Sequence, residues 1–122
     1  MDILYILGQG SKWSNNELRY SLRSIAKFGN NVGRIYVAGY DPGFLTRKVT
    51  FIPCPDAYPS KHQNIMNCIE TAIATSDIGD EFLLASDDHF YVGSVDFDKY
   101  PYFCKGVLPQ VIEDTKGGSY NV

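Results

Sequence analysis

The chain reads as an α/β fold with a mostly parallel sheet, and three observations carry that reading. Short apolar runs recur at Ile3–Leu7, Arg34–Gly39, Val49–Ile52 and Glu81–Ala85, as expected of strands covered on both faces. Two of the intervening segments carry apolar residues at helical spacing, and each opens on a Ser-x-x-Glu or Ser-x-x-Gln signature. Strands alternating with helices place helices on both faces of a parallel sheet.

Ile3–Leu7 is closed by Gly8 and followed by a polar loop, Gly8-Gln9-Gly10-Ser11-Lys12. Ser14 and Glu17 form a capping box, in which each side chain satisfies the other's backbone amide. Leu18, Leu22 and Ile25 then share one helical face, and Arg19 and Arg23 share another. Gly29 and two asparagines end this helix. Arg34–Gly39 is the second strand, and Asp41-Pro42-Gly43 is turn chemistry. Val49–Ile52 is a third, short strand. Pro53, Pro55 and Pro59 enforce an extended excursion. A second capping box, Ser60 with Gln63, opens a helix whose stripe is Ile65, Ile69, Ala72 and Ile73. Glu81–Ala85 is another buried strand, and Phe90–Val92 is expected to be one more. Beyond Asp96 only a helical turn over Val111–Thr115 is expected. Right-handed crossovers would gather the loops at 8–14, 39–44 and 86–89 on one sheet edge.

At 122 residues the prior is a single domain, one able to bury roughly two-thirds of its unfolded surface. A hydrophobic share of 44% against 20% charged excludes wholesale disorder. The net charge of −3 argues against a nucleic-acid binder or a polybasic membrane module. Aromatic residues reach 14%, which suits a ring-lined cleft and a ring-packed core equally. Cys54, Cys68 and Cys104 form no CxxC and leave an odd thiol, so a reducing, cytoplasmic setting fits best. No apolar run approaches the roughly 20 residues that span a bilayer, so no transmembrane segment is expected.

The strongest chemical signal is Asp87-Asp88, directly after an apolar strand. Paired carboxylates there need compensation for lost solvation, and a hard divalent cation supplies it, with substrate phosphates completing its shell. Neighbouring residues of an extended chain point to opposite sides, so one carboxylate could ligate while the other accepts from a sugar or ribose hydroxyl. A strand-end turn carrying two solvated acids is the competing reading. His89 could ligate, act as a base or orient an aspartate, although a lone histidine is more often structural. His62 fits a solvated first-turn residue. Lys12, Arg19, Arg23 and Lys61 stand near helix N-termini, where amides favour a diphosphate; for Lys12 and Arg23 an ordinary surface charge is the better reading. Gly8-x-Gly10 has Trp13 where a dinucleotide fingerprint needs its third glycine, and no GxxxxGK[ST], HExxH or GxSxG occurs.

Asn16-Glu17-Leu18-Arg19-Tyr20-Ser21-Leu22-Arg23-Ser24-Ile25 resembles the N-E-L-R-Y-S-L-R-S-I type block of the Stealth family of capsular-polysaccharide sugar-phosphate transferases. Arg34–Val37 looks like the strand after that block, and Glu81–Phe90 looks like its F-x-Y-x-N-D-D-x-F segment. Small phage and bacterial glycosyltransferase-like proteins share these blocks, and the likeness covers about residues 2 to 95. It implies a single GT-A-like, Rossmann-like domain that transfers from a nucleotide sugar with Mn²⁺ or Mg²⁺. Asp88 would be the metal ligand, with Asp87 beside it on the donor side, and both with His89 form the implied catalytic set. The implied donor contacts are Gly8, Gln9, Gly10, Ser11, Arg19, Lys61, Asn64 and Asp87, with Gly8–Ser11 against the base. Ser86 stands where Stealth members carry Asn, His89 where an apolar residue is usual, and Tyr5–Ser11 lacks their W-V-x-G-S-D pattern.

The expectation is therefore a metal-dependent glycosyltransferase in polysaccharide biosynthesis, taking a uridine-linked or similar donor and a glycan or other hydroxyl acceptor. The alternatives are a Stealth-type sugar-1-phosphate transferase and a non-catalytic nucleotide-sugar or glycan-binding remnant, the latter expected if the acceptor half of such a domain is missing or reduced. A phosphoesterase is weaker, since one carboxylate cluster does not make a two-metal site. Tyr100, Tyr102 and Tyr120 could stack on sugar rings or bury a homo-oligomer contact.

Overall fold

A computed structural model describes residues 1–101. Cys104, Tyr102, Tyr120 and the turn expected at 111–115 lie outside them. β1 (Asp2–Leu7), α1 (Asn16–Phe28), β2 (Gly29–Asn30), β3 (Ile35–Gly39), β4 (Val49–Pro53), α2 (Lys61–Thr75), β5 (Phe82–Ala85) and β6 (Val95–Asp96) follow in order, and a short 3-10 turn covers Phe97–Lys99. Four strands make the main sheet in the order β4-β3-β1-β5. Every pairing is parallel, with Leu4 opposite Tyr36 and Leu84, and Tyr5 opposite Val37 and Ala85. The architecture is α/β and consistent with a Rossmann-like fold.

Alternate residues of each strand build two separate cores, because successive side chains point to opposite faces. Ile3, Tyr5, Leu7 and Val37 pack with Leu18 and Ile25 of α1. Leu4, Tyr36, Ala38 and Ile52 pack with Cys68 and Ala72 of α2. The helices thus cover opposite faces. Ile3, Leu4, Leu18 and Val37 are fully buried, each such side chain contributing about 1.5–3 kcal/mol. No helix of the described residues is long and apolar enough to cross a membrane.

The two buried serines are paired. Tyr5 and Ser21 hydroxyls lie 2.6 Å apart, and Ser24 donates to the Ser21 carbonyl while accepting from the Tyr91 amide. At the amino edge of the sheet Asp2 accepts from the amides of Arg34 (2.7 Å) and Gly79 (3.1 Å). Arg34 there bridges Asp2 and Asp77, and the Tyr36 hydroxyl donates to Asp77. The opposite, carboxyl edge is free of this clamp.

Several expectations change. Residues 90–92 form no strand; the extended pair is β6, which lies parallel to β2 in a second small sheet. Asn30 and Asn31 hold that sheet by side-chain bonds to Ser94 and Asp96. Gly29 ends α1 without a left-handed turn (φ −78°); its need is space, since a Cβ would lie 2.7 Å from the Ile25 carbonyl oxygen and from Val32. Ile73 points to solvent, and Cys68 with Ala72 forms the buried seam of α2 instead. Neither capping box forms: Ser14 sits at φ 55°, Asn15 is the N-cap, and Ser60 caps α2 without a side-chain bond.

Candidate functional site

Along the main sheet the chain steps outward from β1 to β3 and β4, then returns through α2 to β5 on the other side of β1. The strand order thus reverses beside β1, and ligands of open α/β sheets bind at the carboxyl ends of the strands at such a point. A groove of about 1000 Å³ occupies that position. Gly8, Gln9, Gly10 and Ser11 line one side of it, and Ser86, Asp87 and Asp88 line another. Residues after β4 and the first turn of α2 complete the wall, among them Asp56, Tyr58, Lys61 and Asn64.

Asp87 is half-buried. Burial raises its carboxyl above the ordinary carboxylate range, and the charges of Asp88 and Glu17 add to the rise against its own backbone amide and Lys61. Its charge also adds to the upward push that burial gives the Tyr5 hydroxyl beneath. Asp88 behaves oppositely: the Ser86 hydroxyl donates to it and holds it low, with His89 assisting. A turn from Ser86 to His89 orders this segment, the His89 amide donating to the Ser86 carbonyl at 3.3 Å. The two acids thus differ in setting, one sheltered and one open.

Ser11 organises the facing loop. Its hydroxyl accepts from the amides of Trp13 and Asn15 at 3.1 and 3.0 Å and donates to Glu17 at 2.8 Å. Glu17 therefore reaches back six residues, past Ser14, and its carboxylate arrives at the groove. Asn64 lines the groove but is committed elsewhere: its oxygen accepts from the amides of Ala57 and Tyr58, and its nitrogen donates to the Tyr58 carbonyl. It pins the proline-bracketed loop. Tyr40 supports that loop from behind by accepting from the Asp56 amide, which is why residues 39–44 brace the wall without lining it.

Two expected contacts stand apart from the groove. The Arg19 guanidinium lies over the Phe44 ring, 4.4 Å from its centroid, and is not among the residues lining the groove. Its Nε is buried without a hydrogen-bond partner. His89 is 84% exposed at the side chain, with Nε2 3.9 Å from Asp88, and lines neither cavity. Among the described residues Lys61 is the cation that reaches the groove, while Lys12, Arg23 and His62 are exposed outside its wall. Cys54 and Cys68 meet at its inner wall, where the Cys68 thiol donates to the Cys54 carbonyl; burial and Cys54 push that thiol up to about 12.

A second cavity of about 320 Å³ adjoins the first. Trp13, Tyr20 and Phe90 form its walls with Asn16, and Glu17 and Asp88 belong to both cavities. Its aromatic residues are spread over three segments, so no local pattern announces it. Glu17, Cys54 and Tyr58 likewise escaped the sequence reading; the prolines flanking Cys54 were the only hint that this segment is held extended.

Among the described residues no group of three or more His, Cys, Asp and Glu side chains is poised to hold a metal ion. The protein's own offer is an all-oxygen pair, Asp87 and Asp88. Such a pair could hold a hard cation that keeps waters and takes substrate phosphates, and a positive charge there would offset the burial that raises Asp87.

No family model matches the chain, and comparison with curated proteins and with solved structures gives no significant match.

Proposed function

We propose that the chain is a GT-A-like transferase domain, related to the Stealth-type and phage glycosyltransferase-like proteins, that transfers a sugar from a nucleoside-diphosphate donor to a hydroxyl acceptor. One observation carries this reading: the Asp87–Asp88 pair lines one groove together with the Gly8–Ser11 loop and Lys61, at the carboxyl ends of β1 and β5. Such a groove offers backbone amides and an ammonium to a diphosphate, and carboxylates to the hydroxyls of a sugar or ribose.

Asp88, with Asp87 beside it, would hold Mn²⁺ or Mg²⁺, which supplies neutralisation of charge developing on a departing diphosphate. Lys61 approaches the same phosphates from the first turn of α2. The open backbone over Gly8 and Gly10, where a Cβ would meet nothing within 4 Å, leaves room for a base. Asp87, half-buried at the same strand end, would accept from a donor-sugar hydroxyl as a carboxylate. Arg19 takes no part in this arrangement, being committed to Phe44.

Thermal denaturation with a panel of nucleoside-diphosphate sugars, with and without Mn²⁺, tests the reading. Ligand at 100 times its Kd stabilises the folded state by about 2.7 kcal/mol, a rise of several degrees in a domain this size. The expected result is a Mn²⁺-dependent rise with a uridine or guanosine diphosphate sugar that Asp88→Asn abolishes. A rise that survives Asp88→Asn, or none with any donor, overturns it.

The exposed position of His89, away from both cavities, favours a second reading in which the domain binds a nucleotide sugar without turning it over. Release of nucleoside diphosphate in the presence of acceptor separates the two.

A further inference from the structure

We infer that the aromatic trough beside Asp88 is a carbohydrate subsite, and that the hydroxyl acceptor is a pyranose-containing glycan laid across Trp13, Tyr20 and Phe90. The inference rests on the donor reading of the adjoining groove for its catalytic meaning, but the trough's own chemistry argues for it separately.

Three large rings stand open around one small cavity: Trp13 is 68% exposed, and Tyr20 and Phe90 are each 61% exposed. They come from the loop before α1, the first turns of α1 and the segment after β5, so helix periodicity does not account for their meeting. Exposed large rings grouped in this way mark a binding surface. Sugar rings present flat faces of C–H groups edged by hydroxyls. Aromatic faces receive the former, and acceptors at the margin receive the latter. Glu17 and Asp88 supply those acceptors, and Asn16 adds an amide to the same lining. A nucleotide fits less well: no Lys or Arg among the described residues lines the trough, and two carboxylates there repel phosphate. The volume, about 320 Å³, lies at the lower end of ordinary ligand pockets, about 300–1,000 Å³, and suits a short reach of a longer glycan.

The position completes the argument. Glu17 and Asp88 are shared between trough and groove, so a hydroxyl of a sugar seated on the rings arrives at the acidic pair where a donor sugar would end. Binding alone is proposed for the rings.

Trp13 is the chain's single tryptophan, so its fluorescence reports on the trough directly. The full chain is titrated with cellohexaose, maltohexaose and chitohexaose, and separately with uridine. The expected result is a saturable blue shift with at least one hexasaccharide and none with uridine. The double variant Tyr20→Ala/Phe90→Ala should weaken that binding by roughly tenfold or more while keeping the parent's melting temperature and its donor-induced thermal shift. Silence toward all three hexasaccharides overturns the inference, as does a shift that persists in the double variant. A shift with uridine assigns the trough to a base, and one that grows with protein concentration alone assigns it to a second copy of the chain; either overturns it. Failure of the donor assay with the hexasaccharide response intact would sink the groove reading and leave the trough a glycan site.

Discussion

Asp2 shows how one carboxylate can anchor a sheet edge. Burial pushes its carboxyl up, but the amides of Arg34 and Gly79 and the Arg34 guanidinium outweigh that, and it titrates below the usual 3.8. A folded pKa below the unfolded one gives stability that is complete above the unfolded value and lost as pH falls through the folded value. Asp2→Asn should therefore cost about 1–3 kcal/mol at neutral pH and flatten the loss of stability below about pH 4. Urea denaturation across pH checks both; an unchanged acid limb would remove Asp2 from the clamp. Ser11 gives the matching lesson at the carboxyl edge. Ser14 to Glu17 has capping-box spacing, but the left-handed backbone at Ser14 and Asn15 hands the role to Ser11, and Glu17 is turned toward the groove. Spacing along the chain cannot reveal that exchange, because it depends on a loop conformation.

The two helices differ in how much of their burial could be read. α1 buries Leu18 and Ile25 with Ser21 and Ser24 between them, following its apolar stripe and answering Tyr5 and Tyr91 with hydroxyls. In α2 the apolar residues outnumber the positions that meet the sheet. Counting them put Ile73 on the stripe, whereas the sheet receives Cys68 and Ala72 and leaves Ile73 54% exposed. Ile73→Lys should change stability by less than about 0.5 kcal/mol, and Ala72→Leu should cost about 1–3 kcal/mol by overpacking. Chemical denaturation of the pair decides it; a large loss at Ile73 would place that face inside. The strand expected at 90–92 failed for a related reason: apolar residues there serve the trough and the Tyr91–Phe97 ring contact, and a β-like composition does not require a ladder partner.

Placement of the whole site follows from strand order. The sheet runs β4-β3-β1-β5, and the crevice lies where its direction reverses. Gly39 maintains the close approach of β3 to β1 at that edge. It sits at φ +129°, and a Cβ there would collide with the Leu7 carbonyl backbone, whose oxygen also accepts from the Tyr40 amide. Gly39→Ala should cost about 2–5 kcal/mol from strain and forced separation together, read as a lower thermal midpoint. A neutral result would mean that the carboxyl edge is looser than its packing indicates.

Local composition was enough to place four strands, two helices and an acidic pair at a strand end, because a strand covered on both faces must be apolar whatever its neighbours are. It also put Gly8–Ser11 near that pair, since loops after parallel strands share one edge, while Lys61 reads as a cation at a helix N-terminus and Asn64 is implied by the family resemblance alone. Long-range packing alone settled that Arg19 turns away to Phe44, that Asn64 is spent on a loop, and that Trp13, Tyr20 and Phe90 meet beside Asp88. Each of those outcomes depends on which strand lies next to which and on how the connecting segments cross, and neither is encoded in the spacing of residues along a single element.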